Sequence, residues 1–281
     1  MAIGALGVST SAVLIDLSGA SPGTATFYRC ALAVLVLAPL VVLERRSEGG
    51  PTRRQCGYAV AAGVLFAGDA LWWTQAIGEI GAGLSTVLVN AQVVIVPLLA
   101  LVMDREPVSR RYLAFLPVMV VGILLTGGVL ESGVAGADPA GGTVHGLSAA
   151  ACYSGFLYLL RLGGGSGRIV QSYVLVLVTA AVATVCVGPI WSHVTLRPSG
   201  SQLAWLVLVA LGGQVVGWLL VAVATPRLRS EIGAALLQLT PVGALAGGAV
   251  VLGEHPTLLQ LAGCALVLVS AYAVSARTSR S

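Results

Sequence analysis

The chain has 281 residues, 57% of them hydrophobic and 9% charged, with a mean hydropathy of +0.95 and a net charge of +4. Soluble domains carry about 25% charged residues and lack a core large enough to hide so apolar a chain, so the composition excludes a soluble globular protein and points to a polytopic membrane protein. The cationic side chains are all arginine and stand in short runs between apolar segments, the distribution of membrane loops rather than of a nucleic-acid-binding face.

A helix needs about 20 apolar residues to cross the hydrocarbon core. With glycine, proline and charge clusters read as breaks, ten spans follow in chain order, near 2–18, 24–43, 57–77, 81–103, 112–130, 143–161, 170–191, 203–224, 232–252 and 258–275. The first begins almost at Met1 with no cationic stretch before it, which argues against a cleaved signal peptide. The polar–apolar alternation of a β-barrel is absent. If the N-terminus is cytoplasmic, the inner loops and the tail hold thirteen arginines, the outer loops hold only Arg197, and Arg29 falls inside the second span. That bias predicts a multi-pass protein of the cytoplasmic (plasma) membrane with both termini inside. Cys30, Cys56, Cys152, Cys186 and Cys264 are scattered without a Cys-x-x-Cys pair and read as small apolar fillers, so no metal or cofactor is expected.

The two halves of the sequence align with each other. Between 85–115 and 233–263, an offset of 148 pairs Leu88 with Leu236, Asn90 with Gln238 and Glu106 with Glu254, and carries on to Val121 and Val269. An offset of 146 pairs Trp72 with Trp218. Five spans per half is an odd number, so the halves must lie oppositely in the bilayer, a device of secondary transporters that rock about a midplane site. The expected architecture is therefore all-α: ten transmembrane helices as two inverted five-helix repeats, 1–130 and 143–275, with a linker at 131–142 and a cytoplasmic tail at 276–281.

FYRCALAVLVLAPL (27–40) resembles the second helix of the drug/metabolite transporter superfamily, EamA type. STVLVNAQVVIVPLLALVMDREPVSRRYLAFLPVMVVGILLTGG (85–128) is similar to that family's fourth and fifth helices, and GAALLQLTPVGALAGGAVVLGEHPTLLQLAGCALVLVSAYAV (233–274) to the matching stretch of its second half. The resemblance covers nearly the whole chain and implies a central cavity lined by helices one to four and six to nine, with helices five and ten at the periphery. It also implies transport of a metabolite or drug, with export common. The chain departs from the family's Gly-Glu pair after the fourth helix, where it has Arg105-Glu106.

Charges within spans are costly and are functional candidates by default. Asp16, Arg29 and Asp69 all fall in the outer half of the membrane. Either Arg29 pairs with Asp16 or Asp69 and ties helices together, or Asp69 lines the cavity as a proton carrier or a partner for a cationic group. One arginine cannot match both acids. Trp72 and Trp73, at i+3 and i+4 from Asp69, can share its face, and Trp218 lies too deep for an aromatic belt. These rings would give flat walls for aromatic or cationic solutes. Asn90 and Gln238 lie near the midplane as helix–helix glue or substrate contacts, with Gln92, Gln214 and Tyr153 as further candidates. Pro97 and Pro241 are hinge candidates. Glu106 and Glu254 read as solvated turn residues.

The reading is a secondary transporter of small organic solutes working by alternating access, driven either by a gradient of protons or another ion or by plain facilitated exchange, with a homodimer left open. A chain without lysine carries no G-x-x-x-x-G-K-[ST] loop, so it does not burn ATP itself. A lipid-modifying membrane enzyme would need clustered catalytic groups, whereas His145, His193 and His255 fall by three different loops. A non-transporting scaffold has no need of an acid facing tryptophan in mid-membrane.

Overall fold

The computed structural model describes residues 2–105, 110–126, 138–163, 168–224, 237 and 239–275. They form α1 (Ala2–Ser18), α2 (Pro22–Glu48), α3 (Arg53–Ile80), α4 in two pieces (Ala82–Val89 and Gln92–Asp104) and α5 (Arg110–Thr126). Then come α6 (Pro139–Gly163), α7 (Ile169–Trp191), α8 (Gly200–Leu208, Val209–Trp218 and Leu219–Ala224), α9 (Leu239–Gly247 and Gly248–Leu252) and α10 (Leu258–Ser275). The ten helices take the ten predicted spans in order, and no strand occurs among the described residues. Among the described residues, five helical stretches are long and apolar enough to cross a membrane: Pro22–Glu48, Arg53–Ile80, Ala82–Met103, Ile169–Gly188 and Gly200–Val221. Most of the predicted linker, and the tail, lie outside the described residues.

Local chemistry sets the helix ends. Ser21 caps α2 by accepting from the Thr24 amide, with Pro22 at the first helical position, where its missing N–H costs nothing. Thr52 with Gln55 and Ser199 with Gln202 form capping boxes that open α3 and α8. Gly81 joins α3 to α4 at φ 92°, a conformation that an L side chain rarely takes. Arg105, after α4, also sits at positive φ (56°), close to the 68° of Gly253 after α9. The arginine that replaces the family's glycine thus holds a glycine-like backbone, with the strain that entails.

Three helices depart from the regular spans expected. α4 is interrupted at Asn90–Ala91, where the Asn90 and Ala91 amides donate to the carbonyls three residues back, Val87 (3.0 Å) and Leu88 (2.9 Å). The break therefore precedes the hinge candidate Pro97, which lies inside Gln92–Asp104. α8 is π-helical over Val209–Trp218 and α9 over Gly248–Leu252, while Pro241 is buried within Leu239–Gly247. Such wide turns recur at functional sites.

α5 packs on α10, α2 on α7, α4 on α9, α3 on α6 and α7, and α1 on α8 and α9, with α2 also meeting α8 and α4 meeting α6. Exchanging each helix for the one five places along maps this set of pairings onto itself. Small residues let the backbones approach, as they do in membrane bundles. A methyl group added at Gly4 would lie 2.8 Å from the Gly217 carbonyl oxygen across α1–α8, and one at Gly263 would lie 2.7 Å from that of Gly122 across α10–α5. Outward faces are apolar, with Leu35, Val102, Val250 and Leu258 exposed.

Candidate functional site

A cavity of about 60 Å³ lies in the middle of the bundle. α1 contributes Val8 and Ser11 to its wall, α2 Arg29, and α3 Phe66, Asp69 and Trp73. α4 adds Thr86, Val89, Asn90 and Gln92, α6 Tyr153, α8 Trp218 and α9 Thr240. No residue of α5 or α10 reaches it, in keeping with their place at the edge.

Arg29 is buried in α2, about two turns past the cap that Ser21 sets. Its Nε and Nη2 donate to the Gln214 side-chain oxygen at 2.8 and 3.0 Å, with the amide oriented so that its nitrogen donates to the Tyr173 hydroxyl oxygen at 3.2 Å. That hydroxyl in turn donates to the Gln214 main-chain carbonyl at 3.2 Å. The guanidinium also lies 5.4 Å from the ring centres of both Phe66 and Trp73, close enough for cation–π attraction. Of the two alternatives for these charges, the ion pair is not formed. Arg29 contacts neither acid directly, because Asp69 faces the cavity from the next helix and Asp16 is exposed near the end of α1, away from the cavity. Asp16 is therefore withdrawn from the pathway. Gln214 is buried behind Arg29 in the π-helical part of α8 and orients the arginine rather than lining the cavity.

The two neighbouring tryptophans divide. Trp73 lines the cavity and donates its indole N–H to the Thr86 hydroxyl at 3.3 Å. Trp72 turns the other way and stacks on His145, with ring centres 5.0 Å apart. The ring that joins Trp218 at the cavity is thus Trp73 and not Trp72, because a step of one residue swings the side chain about 100° round a helix. Trp218 meets Tyr153 and Phe156 edge to face, with centroids 5.8 and 5.6 Å apart, while Tyr153 and Phe156 stack with centroids 6.0 Å apart. Asn90 stands at the break in α4 and donates to the Thr86 carbonyl at 3.1 Å. Gln238 lies outside the described residues. Among those residues, no three His, Cys, Asp or Glu side chains converge as a metal site.

Three features escaped the sequence reading. Phe66, three residues before Asp69, shares its face of α3 and lines the cavity. Glu79 and His145 pair at 2.6 Å between α3 and α6, with Gln75 donating to the other carboxylate oxygen at 2.7 Å. Glu254 is no solvated turn residue: its carboxylate accepts from the Ala82 and Gly83 amides, at 2.5 and 3.1 Å, and so caps α4 from the other half of the chain. A helix start offers free N–H groups and a positive dipole end, which an acid satisfies. Glu106 lies outside the described residues.

The EamA-like transporter family matches this sequence over 1–128 and again over 142–276. The chain belongs to that family. A solved structure described as "Crystal structure of protein" superposes on this EamA-like chain with a TM-score of 0.66 at 17% identity, over 99% of this chain and 95% of that one. At that identity the likeness speaks for the fold. No curated protein matches the chain in sequence. Membership makes this a membrane protein with an internal repeat, of a transporter family whose members handle small molecules.

Proposed function

We propose that the chain is a secondary transporter that carries small organic solutes out across the cytoplasmic membrane by alternating access. In this reading both termini are cytoplasmic, and the halves 1–130 and 143–275 form an inverted repeat whose rocking opens the cavity to each side in turn. The observation that carries it is the central cavity itself. Seven helices from both halves each send a side chain to one small space, and that space holds a buried arginine and a buried aspartate amid aromatic walls. A scaffold gains nothing from charges so placed, since each is costly to bury.

The interruption of α4 at Asn90–Ala91 and the π-helical parts of α8 and α9 are where the cavity-lining helices can flex, with Pro97 and Pro241 as companions. Asp69 is the group that a coupling proton or a cationic substrate would meet. The test is comparative metabolite profiling of medium and cytosol in cells carrying wild type, Asp69→Asn or an empty vector. A solute enriched outside only with wild type is the expected result. Identical profiles in all three would overturn the export reading.

A further inference from the structure

The ties between the two halves of the chain differ in where they sit. α2 and α7 are bound at both ends. Near the start of α2 the Ser21 hydroxyl donates to the His193 carbonyl at 2.6 Å, and the Gly23 amide donates to the Ser192 hydroxyl at 2.7 Å. At the far end Glu44 accepts from two α7 amides, and Arg168 donates to the Glu48 carbonyl at 2.7 Å. A column held at both ends moves as one body. α4 and α9 are joined differently. Where α4 begins, the Glu254 carboxylate takes the Ala82 and Gly83 amides, and eight residues on α4 breaks at Asn90–Ala91. The piece between, Ala82–Val89, brings Thr86 and Val89 to the cavity wall, and Thr86 holds the Trp73 indole. It is a short lever, fastened to the other half of the chain at one end and broken from its own helix at the other.

Three glycines make the seat for that carboxylate. A methyl group added at Gly81 would lie 2.8 Å from Glu254 Oε1 and one at Gly83 3.1 Å from Oε2, while one at Gly248 would overlap Oε2. The donors are main-chain amides at a helix start, so the bonds are charge-assisted and strong, and they cannot swing after a moving partner. Glu79 and His145, which tie α3 to α6 at the same end, are both side chains and can follow one another. Glu254 is half-buried, so water is at hand to hydrate it when it leaves its seat. Two halves that rock must break their ties at whichever end opens. We propose, on the basis of the transporter reading and its orientation, that Glu254 is the latch of the outer gate. Seated, it holds Ala82–Val89 across the outer mouth of the cavity. Unseated, it lets that piece turn at Asn90–Ala91 and opens the cavity to the outside.

The test reads how readily the outside reaches the cavity. Ser11 lines the cavity from α1. Ser11→Cys, placed in the full-length protein, is labelled in intact cells with a membrane-impermeant methanethiosulfonate, and the labelling of a parent with only the five native cysteines is subtracted. Adding Glu254→Ala is expected to speed this labelling about fivefold or more, by shifting the population toward the open gate. Gly248→Ala keeps the acid but displaces it from its seat, and should have the same effect. Glu79→Gln should stay within about twofold of the parent. A lower melting temperature with labelling unchanged in both Glu254→Ala and Gly248→Ala would make Glu254 a structural cap and overturn the proposal. Equal acceleration by Glu79→Gln would also overturn it, by showing that any loosening of that end opens the cavity. Should Glu254→Ala not reach the membrane, Gly248→Ala decides alone. The two readings fail separately. Faster labelling in both variants, with no solute exported by the wild type relative to an empty vector, would sink the transport reading and leave the latch standing. Export by the wild type with labelling unchanged in both variants would sink the latch alone.

Discussion

Buried and half-buried acids fall into two groups in this molecule. Glu254 and Glu44 are answered by helix starts: Glu254 takes two amides of α4, and Glu44 takes the Val170 and Gln171 amides of α7 at 3.0 and 2.7 Å. Glu79 is answered by His145 and Gln75. Asp69, at the cavity, is answered by no side chain within ion-pair reach, although an arginine lines the same space. The difference lies in what the fold supplies. Where the backbone or a neighbouring helix offers donors, the acid joins segments; where it does not, the acid is available to something that comes and goes.

The comparison breaks first at Asp69. Asp69→Asn is expected to reduce transport roughly tenfold or more while the protein remains folded, since the change removes a charge with no protein partner to strand. Glu79→Gln, made beside it, should leave at least half the rate, as a partly exposed pair of this kind contributes at most about 1 kcal/mol. Transport assays on both variants check this, and equal losses would erase the distinction drawn here. Glu254→Ala comes next. Losing two charge-assisted bonds at the start of α4 should cost about 1.5–3 kcal/mol and lower the melting temperature in detergent. Gln214→Leu should leave transport measurable but raise KM several-fold, because Arg29 loses the partner that aims it. A drop in melting temperature with KM unchanged would make Gln214 merely structural. The smallest effect is expected at Arg105→Gly, which relieves a positive φ and should stabilise the protein by about 0.5–1 kcal/mol, read as a rise in melting temperature.

Which parts were legible follows from the same physics. Helix number and order were readable because hydropathy over some 20 residues is a local property. Asp69, Arg29, Trp73, Asn90, Gln92, Tyr153 and Trp218 were readable because polar or aromatic groups deep in apolar helices stand out against leucine and valine. Glu254 was not, since an acid in a loop looks solvated until its partners, 172 residues away in sequence, are known. The partner of Arg29 was hidden for a like reason: electrostatics suggested an acid, while packing supplied an amide from α8. Trp72 and Trp73 both lie within helical reach of Asp69, and only the rotation of α3 against α6 chooses between them. The break at Asn90 carries no proline or glycine; its one signal is an asparagine, whose amide competes for backbone partners.

The wide turn of α8 has a genetic counterpart. A π-helical stretch holds one residue more than the same length of α-helix would close with, so Val209–Trp218 accommodates what amounts to a single-codon insertion. Deleting one residue there, for instance Gly212 or Gly213, would let the segment close as an ordinary helix. Everything on one side of the deletion would then turn by about 100° relative to the other, carrying Trp218 off the cavity wall or Gln214 off Arg29. The length of this one helix is therefore as much a part of the site as the residues it bears.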